Sequence, residues 1–167
     1  MSSIDSSWAV TKPLFRDLKS LFRRPARLQI GALCYRVREG DVEVLLVTSR
    51  SSRRWILPKG WPILKRRAHK TASIEAYEEA GIVGNVSKKP FGTFNSYKGH
   101  AGGLKIRTQV MIFLIQVTDT LDDYPEVGQR ELRWLAIDDA IKLADEQGLS
   151  RLLSKFNAEM ANYFSSQ

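Results

Sequence analysis

Apolar and polar positions alternate along the chain in blocks short enough to be strands, interrupted by a few stretches of helical period. Leu28–Arg38 (LQIGALCYRVR) and Val42–Thr48 (VEVLLVT) are two dense apolar runs. The turn residues Gly40-Asp41 between them predict an antiparallel hairpin. A polar loop with three arginines, Ser49–Arg54, leads to a third strand at Trp55–Leu57. Further strands are expected at Val83–Val86, Pro90–Tyr97, Leu104–Val117 and Leu132–Leu135, with a flexible Gly-rich tip over Lys98–Gly103. Helical spacing marks Pro13–Arg24, Thr71–Ala80, Ile137–Asp145 and Ser150–Phe164, the last through Leu152, Leu153, Phe156 and Met160. Strands on both sides of a central helix, with helices at the end, predict an α/β (α+β) mixed sheet sandwiched between helices. Residues 1–25 read as a tail plus a basic amphipathic helix, and 26–167 as one domain.

The chain is organised around Trp55–Ile82, WILPKGWPILKRRAHKTASIEAYEEAGI. The apolar run breaks at Pro58 and Gly60, a basic loop follows, and the Thr71–Ala80 helix stops at Gly81, a C′ cap. Glu75, Glu78 and Glu79 stand at i, i+3 and i+4, within an arc of about 100°. Ser73, Ala76, Tyr77 and Ala80 form the other side, suited to packing on a sheet. Like charges so spaced repel by roughly 0.2–0.5 kcal/mol per pair. No Lys or Arg between Thr71 and Gly81 offsets them. Such a cluster is either a solvated face or an oxygen-rich site of the kind Mg²⁺ selects.

The same stretch resembles the Nudix box, G-x5-E-x7-R-E-U-x-E-E-x-G-U, where U is aliphatic. Gly60, Glu75, Ala76, Glu78, Glu79, Gly81 and Ile82 fall on its fixed positions. Arg66 stands where the first Glu belongs and Ile74 where the Arg belongs; in the family that Arg helps orient the glutamates. The likeness extends over roughly Arg27–Asp145 and is nearest to the diphosphoinositol and diadenosine polyphosphate phosphohydrolases. It is carried there by Arg54-Trp55-Ile56-Leu57-Pro58, Phe91-Gly92-Thr93-Phe94, Arg107 and Gly128–Ala140. Where those proteins begin the box with three glycines, this chain has Lys59-Gly60-Trp61.

Composition narrows the picture. The 167 residues carry a formal charge of +8, and the first 70 hold 16 of the 26 Lys and Arg but 5 of the 18 acidic residues. A basic half beside a carboxylate cluster suits a polyanion held with a metal ion. No run reaches the roughly 18 apolar residues of a membrane span, so stable membrane insertion is not expected. The N-terminus has no apolar signal-peptide core. Cys34, the one cysteine, lies in an apolar run and reads as a buried structural thiol in a reducing cytoplasm. His69 and His100 lack the spacing of a zinc site.

The resemblance implies the Nudix fold and metal-dependent hydrolysis of a diphosphate linkage in a polyphosphorylated small molecule. It implies that Glu78 and Glu79 ligate Mg²⁺ or Mn²⁺. Glu75 acts as a further ligand or as base, and the Gly60 carbonyl adds a donor. Arg54 and Arg107 are the expected phosphate clamps, with Arg27, Lys98, Lys105 and Arg130 as further candidates. The basic run Lys65, Arg66, Arg67 and Lys70, just ahead of the helix, could meet a long polyphosphate. Two alternatives stay open: a pyrophosphohydrolase of RNA 5′ ends, and a Nudix-fold module that binds a polyphosphate without turning it over. A homodimer is likewise left open.

Overall fold

Twelve residues of mixed apolar character, Arg27–Arg38, form strand β1, the spine of the sheet. The computed structural model describes residues 26–99 and 105–166. The basic helix expected at 13–24, the N-terminal tail and His100 lie outside the described residues. β1 turns into β2 (Asp41–Thr48) through Glu39 and Gly40, both at positive φ (53° and 92°), with Arg38 opposite Asp41. Two consecutive left-handed residues match the right-handed twist of the strands. The turn therefore lies one residue earlier than Gly40-Asp41. Gly40 takes the second turn position, and Asp41 is extended.

Short strands β3 (Trp55–Ile56) and β4 (Lys59–Gly60) follow, then helix α1 (Ala68–Ala80) and β5 (Ile82–Val86). β6 (Gly92–Gly99), the long β7 (Lys105–Thr120) and β8 (Leu132–Ala136) complete the strands. Helices α2 (Ile137–Leu143) and α3 (Gln147–Ser165) close the described chain. The eight strands share one sheet with the path β3-β2-β1-β7-β5; β4 joins β1, β6 joins β7 and β8 joins β2. β1 and β7 pair in parallel, Gln29 opposite Val110, and the other ladders are antiparallel. This is the mixed sheet between helices that the pattern predicts.

Alternation along the strands builds two cores. Ile30, Ala32 and Cys34 of β1, with Leu45, Val47, Phe113 and Ile115, pack on Ala72, Ala76 and Ala80 of α1. Leu33, Val44, Leu46 and Ile112 face Leu149, Leu152, Leu153 and Phe156 of α3 on the other side. Phe156 is edged by Tyr35 and Phe91 at 5.2 and 5.9 Å between ring centres. Burial pushes the Cys34 thiol up, as befits a packing residue.

Helix α1 departs from expectation at its start and in its inner face. It begins at Ala68, with Arg67 at the N-cap making no side-chain cap bond. Thr71, where the helix is expected to begin, is instead buried within it. Tyr77, expected to pack inward, is 38% exposed, while Glu79 is 6% exposed. Three alanines at i, i+4 and i+8 let the helix lie close to the sheet. That rotation carries Glu79 inward and Tyr77 out.

Candidate active site

Pro58 and Gly60 break the chain where β4 crosses to pair with Ile30 and Gly31 of β1. This sets a short two-stranded lip directly beside α1. The Glu75 carboxylate lies so close over Gly60 that a Cβ there would overlap its oxygens and carboxyl carbon. Glu79, one turn on, accepts the backbone N–H of Lys59 at 3.2 Å. Both carboxylates are thus gathered on the β4 turn.

A cleft of about 750 Å³ opens at this point. Its walls include Glu75, Glu79, Lys59, Arg54 and Arg130, with Glu126 from the loop before β8. Burial raises Glu75 to about 7, helped by the charges of Glu79, Glu78 and Glu126 and opposed by Arg130. Burial likewise raises Glu79 to about 7, although Arg130, Lys59 and the Lys59 N–H pull it down. Burial lowers the Lys59 ammonium, while Glu146 and Glu79 favour its charge. A desolvated cluster of repelling carboxylates binds protons or a cation more readily than isolated glutamates do.

The loop between β7 and β8 is held against α1 at several points. Gly81 sits at φ 66° as the C-cap, and its N–H bonds to the Tyr77 carbonyl at 2.9 Å. A Cβ on Gly81 would also overlap the Leu121 carbonyl and meet the Tyr124 ring. Leu121 N–H bonds to the Gly81 carbonyl at 2.8 Å, and Glu126 N–H to the Glu78 carbonyl at 3.0 Å. This docked loop delivers Glu126 and Arg130. Arg130 pairs with Glu79, donates from Nε to Glu126 at 2.9 Å, and donates from Nη1 to the Thr48 carbonyl at 3.0 Å.

Of the residues singled out from sequence, Glu75, Glu79, Gly60, Arg54 and Arg130 line one cleft. Arg54 reaches the Tyr97 carbonyl at 3.2 Å and Glu146 at 3.4 Å, leaving its side chain 38% exposed. Glu78 is exposed and forms no part of the cleft wall, though it is near enough to raise Glu75. Arg27 and Arg107 are exposed on β1 and β7 and do not line the cleft; Arg107 stands opposite Tyr97. Lys65, Arg66, Arg67 and Lys70 are exposed and also lie off the wall. The side chains of Lys98 and Lys105 lie outside the described residues.

Sequence reasoning missed Lys59, Glu126, Glu146 and Arg50. Arg50 faces Glu126 at 3.3 Å, and buried Glu146 receives the Ser96 hydroxyl. Lys59, adjacent to Gly60, and Arg50, in the three-arginine loop, carried local signals. Glu126 and Glu146 sit in irregular connections with no periodicity to mark them.

The donors present suit a hard divalent cation: Glu75, Glu79, Glu126 and the Gly60 carbonyl all offer oxygen atoms. The space above Gly60 exists because the residue lacks a Cβ. Among the described residues no three acidic, His or Cys side chains stand at ligand spacing. Ligation would therefore draw these carboxylates together.

No family model matches the chain. It is 31% identical over 150 residues to Nudix hydrolase 12, mitochondrial, of Arabidopsis thaliana, covering 78% of this chain and 72% of that protein. It is 34% identical over 116 residues to the Mus musculus diphosphoinositol polyphosphate phosphohydrolase 3-alpha, spanning 68% of this chain and 66% of that protein. A C. elegans Ap4A hydrolase, solved as a binary complex, aligns with TM-score 0.62 at 25% identity, over 82% of this chain and 99% of that one. The fold and these relatives define the class, an α+β pyrophosphohydrolase. The chain belongs to the Nudix hydrolase family. Among the described residues, no helix is long and apolar enough to cross a membrane.

Proposed function

We propose that the chain hydrolyses a diphosphate linkage in a polyphosphorylated small molecule, a diadenosine polyphosphate, an inositol pyrophosphate or a related nucleoside diphosphate derivative. The observation that carries this reading is the Glu75 carboxylate laid over Gly60 beside Glu79, in a cleft that also holds Arg54 and Lys59. Glu75, Glu79 and the Gly60 carbonyl would hold Mg²⁺ or Mn²⁺, with Glu126 beside them and Glu78 joining from the outer side of the helix. When bound, such an ion neutralises charge on the phosphate oxygens and lowers the pKa of a bound water. Arg54 and Arg50 offer N–H groups to phosphate oxygens, Arg54 from a geometry already set by Tyr97 and Glu146. Glu75 serves either as a further ligand of the ion or, where it stays off the ion, as the base that takes a proton from the attacking water. The likeness to a diphosphoinositol polyphosphate phosphohydrolase and to an Ap4A hydrolase supports the substrate class. Neither an RNA end nor a second copy of the chain gains support from these comparisons.

A screen of diadenosine tetraphosphate, inositol pyrophosphate, nucleoside triphosphates and triphosphorylated RNA, with Mg²⁺ or EDTA, tests the reading. Phosphate or nucleotide release from one of the first two, abolished by EDTA, is expected. Release undiminished in EDTA would sink it.

A further inference from the structure

Helix α1 carries no cation between Thr71 and Gly81, and the box position that resembles an arginine site is Ile74, half-buried and aliphatic. Glu79 nevertheless has a guanidinium partner. Arg130, 51 residues further along the chain, reaches it from the loop before β8. Its side chain is 5% exposed and all three of its nitrogens are engaged, with Glu79, Glu126 and the Thr48 carbonyl. The backbone of the next residue is pinned as well. Glu131 N–H donates to the Thr48 hydroxyl at 2.9 Å, and Thr48 N–H to the Glu131 carbonyl at 2.9 Å.

We infer that Arg130 is the positioning residue for Glu79, supplying from outside the box the orienting charge that Ile74 lacks, and is not a phosphate clamp. The planar fork of an arginine fixes two carboxylates at defined angles, which a single ammonium cannot do. A buried cation so anchored is held by the protein's own acids and has little surface to offer a phosphate. Arg54 at the same cleft also has its three nitrogens engaged, by Ser52, Glu146 and the Tyr97 carbonyl, but it keeps 38% of its side chain exposed where Arg130 keeps 5%. Arg130 acts on the reaction through Glu79: it holds the carboxylate against the Lys59 N–H, in the orientation that serves the cation and the attacking water. The inference rests on the hydrolase reading above.

The test pairs steady-state kinetics with a binding measurement on Arg130→Ala and Arg130→Lys. Kinetics use the best-hydrolysed substrate of the screen. Binding uses its methylene-bridged, non-hydrolysable analogue, titrated calorimetrically in EDTA so that the metal plays no part. Displacing a catalytic carboxylate by an ångström costs about a hundredfold in rate. Arg130→Ala should lower kcat by that order while KM and the analogue Kd stay within threefold. Arg130→Lys, which keeps the buried charge but loses the fork, should lower kcat less and also leave analogue binding unchanged. It decides the matter alone if the alanine variant does not fold. A tenfold weaker analogue Kd in either variant would make Arg130 a clamp and overturn the inference, as would kcat within threefold of the parent in both. Those results leave the hydrolase reading standing. A parent protein with no metal-dependent turnover would remove both.

Discussion

The carboxylate of Glu75 occupies the space over Gly60 that any side chain at position 60 would need. Gly60 is therefore required for what lies above it; its backbone is not among those at positive φ. Gly60→Ala should push Glu75 off the β4 turn and lower kcat by at least tenfold. The fold should survive, because the displaced group is the end of a flexible chain, and Tm should shift by only a few degrees. Kinetics and a thermal melt on the same sample check this.

Gly81 is required for two reasons at once, its left-handed backbone and the approach of Leu121 and Tyr124. Gly81→Ala should cost roughly 1–3 kcal/mol for the backbone conformation alone. It should also loosen the loop that carries Glu126 and Arg130, so activity should fall along with stability. Urea unfolding measures the first effect and turnover the second.

Glu75 and Glu79 each rise from the ordinary 4.5 to about 7 in the folded protein. Between those values the native state holds protons that the unfolded chain has released, so their contribution to the unfolding free energy falls as pH rises through 4.5 to 7. Glu75→Gln removes one such group. It should therefore be more stable than the parent at pH 8 in EDTA, with the advantage vanishing near pH 5. Mg²⁺ should narrow the gap at pH 8 by stabilising the parent, as any ligand of the native state does. Thermal melts of both proteins across this range, with and without metal, are the measurement.

Arg54 and Arg107 are separated by the structure although the resemblance ranks them together. Arg54 lines the cleft, whereas Arg107 is exposed on β7 outside the wall. Arg54→Ala should raise KM about tenfold or more with a smaller change in kcat, in line with loss of a charge-assisted contact worth about 1.5–3 kcal/mol. Arg107→Ala should leave both constants within threefold. Equal KM effects from the two variants would place the phosphate path along β7.

Much of the fold was legible because its causes are local. The dense runs of β1 and β2, the alternating β7 and the Leu152–Phe156 stripe of α3 each show their period within a few residues. The errors lie where local signals conflict with packing. Thr71 is expected to open α1 but is buried inside it. Tyr77 has the apolarity of a core residue but faces outward, because the three alanines set the angle at which the helix meets the sheet.

The chemistry divides in the same way. By itself the sequence determined that a turn at Gly60 precedes a helix bearing Glu75, Glu78 and Glu79 and ending at Gly81, because turn, cap and helical spacing are short-range constraints. It also determined the Nudix resemblance that those spacings carry. Only the tertiary structure decided which glutamates enter the cleft, that Lys59 and Glu126 join them, and that Arg130 is the cation facing Glu79. The Glu79–Arg130 pairing alone joins residues 51 positions apart. All of these depend on how a loop is docked by a Cβ-less Gly81 and on how far the helix rolls on the sheet, quantities set by long-range packing that leave no period in the chain.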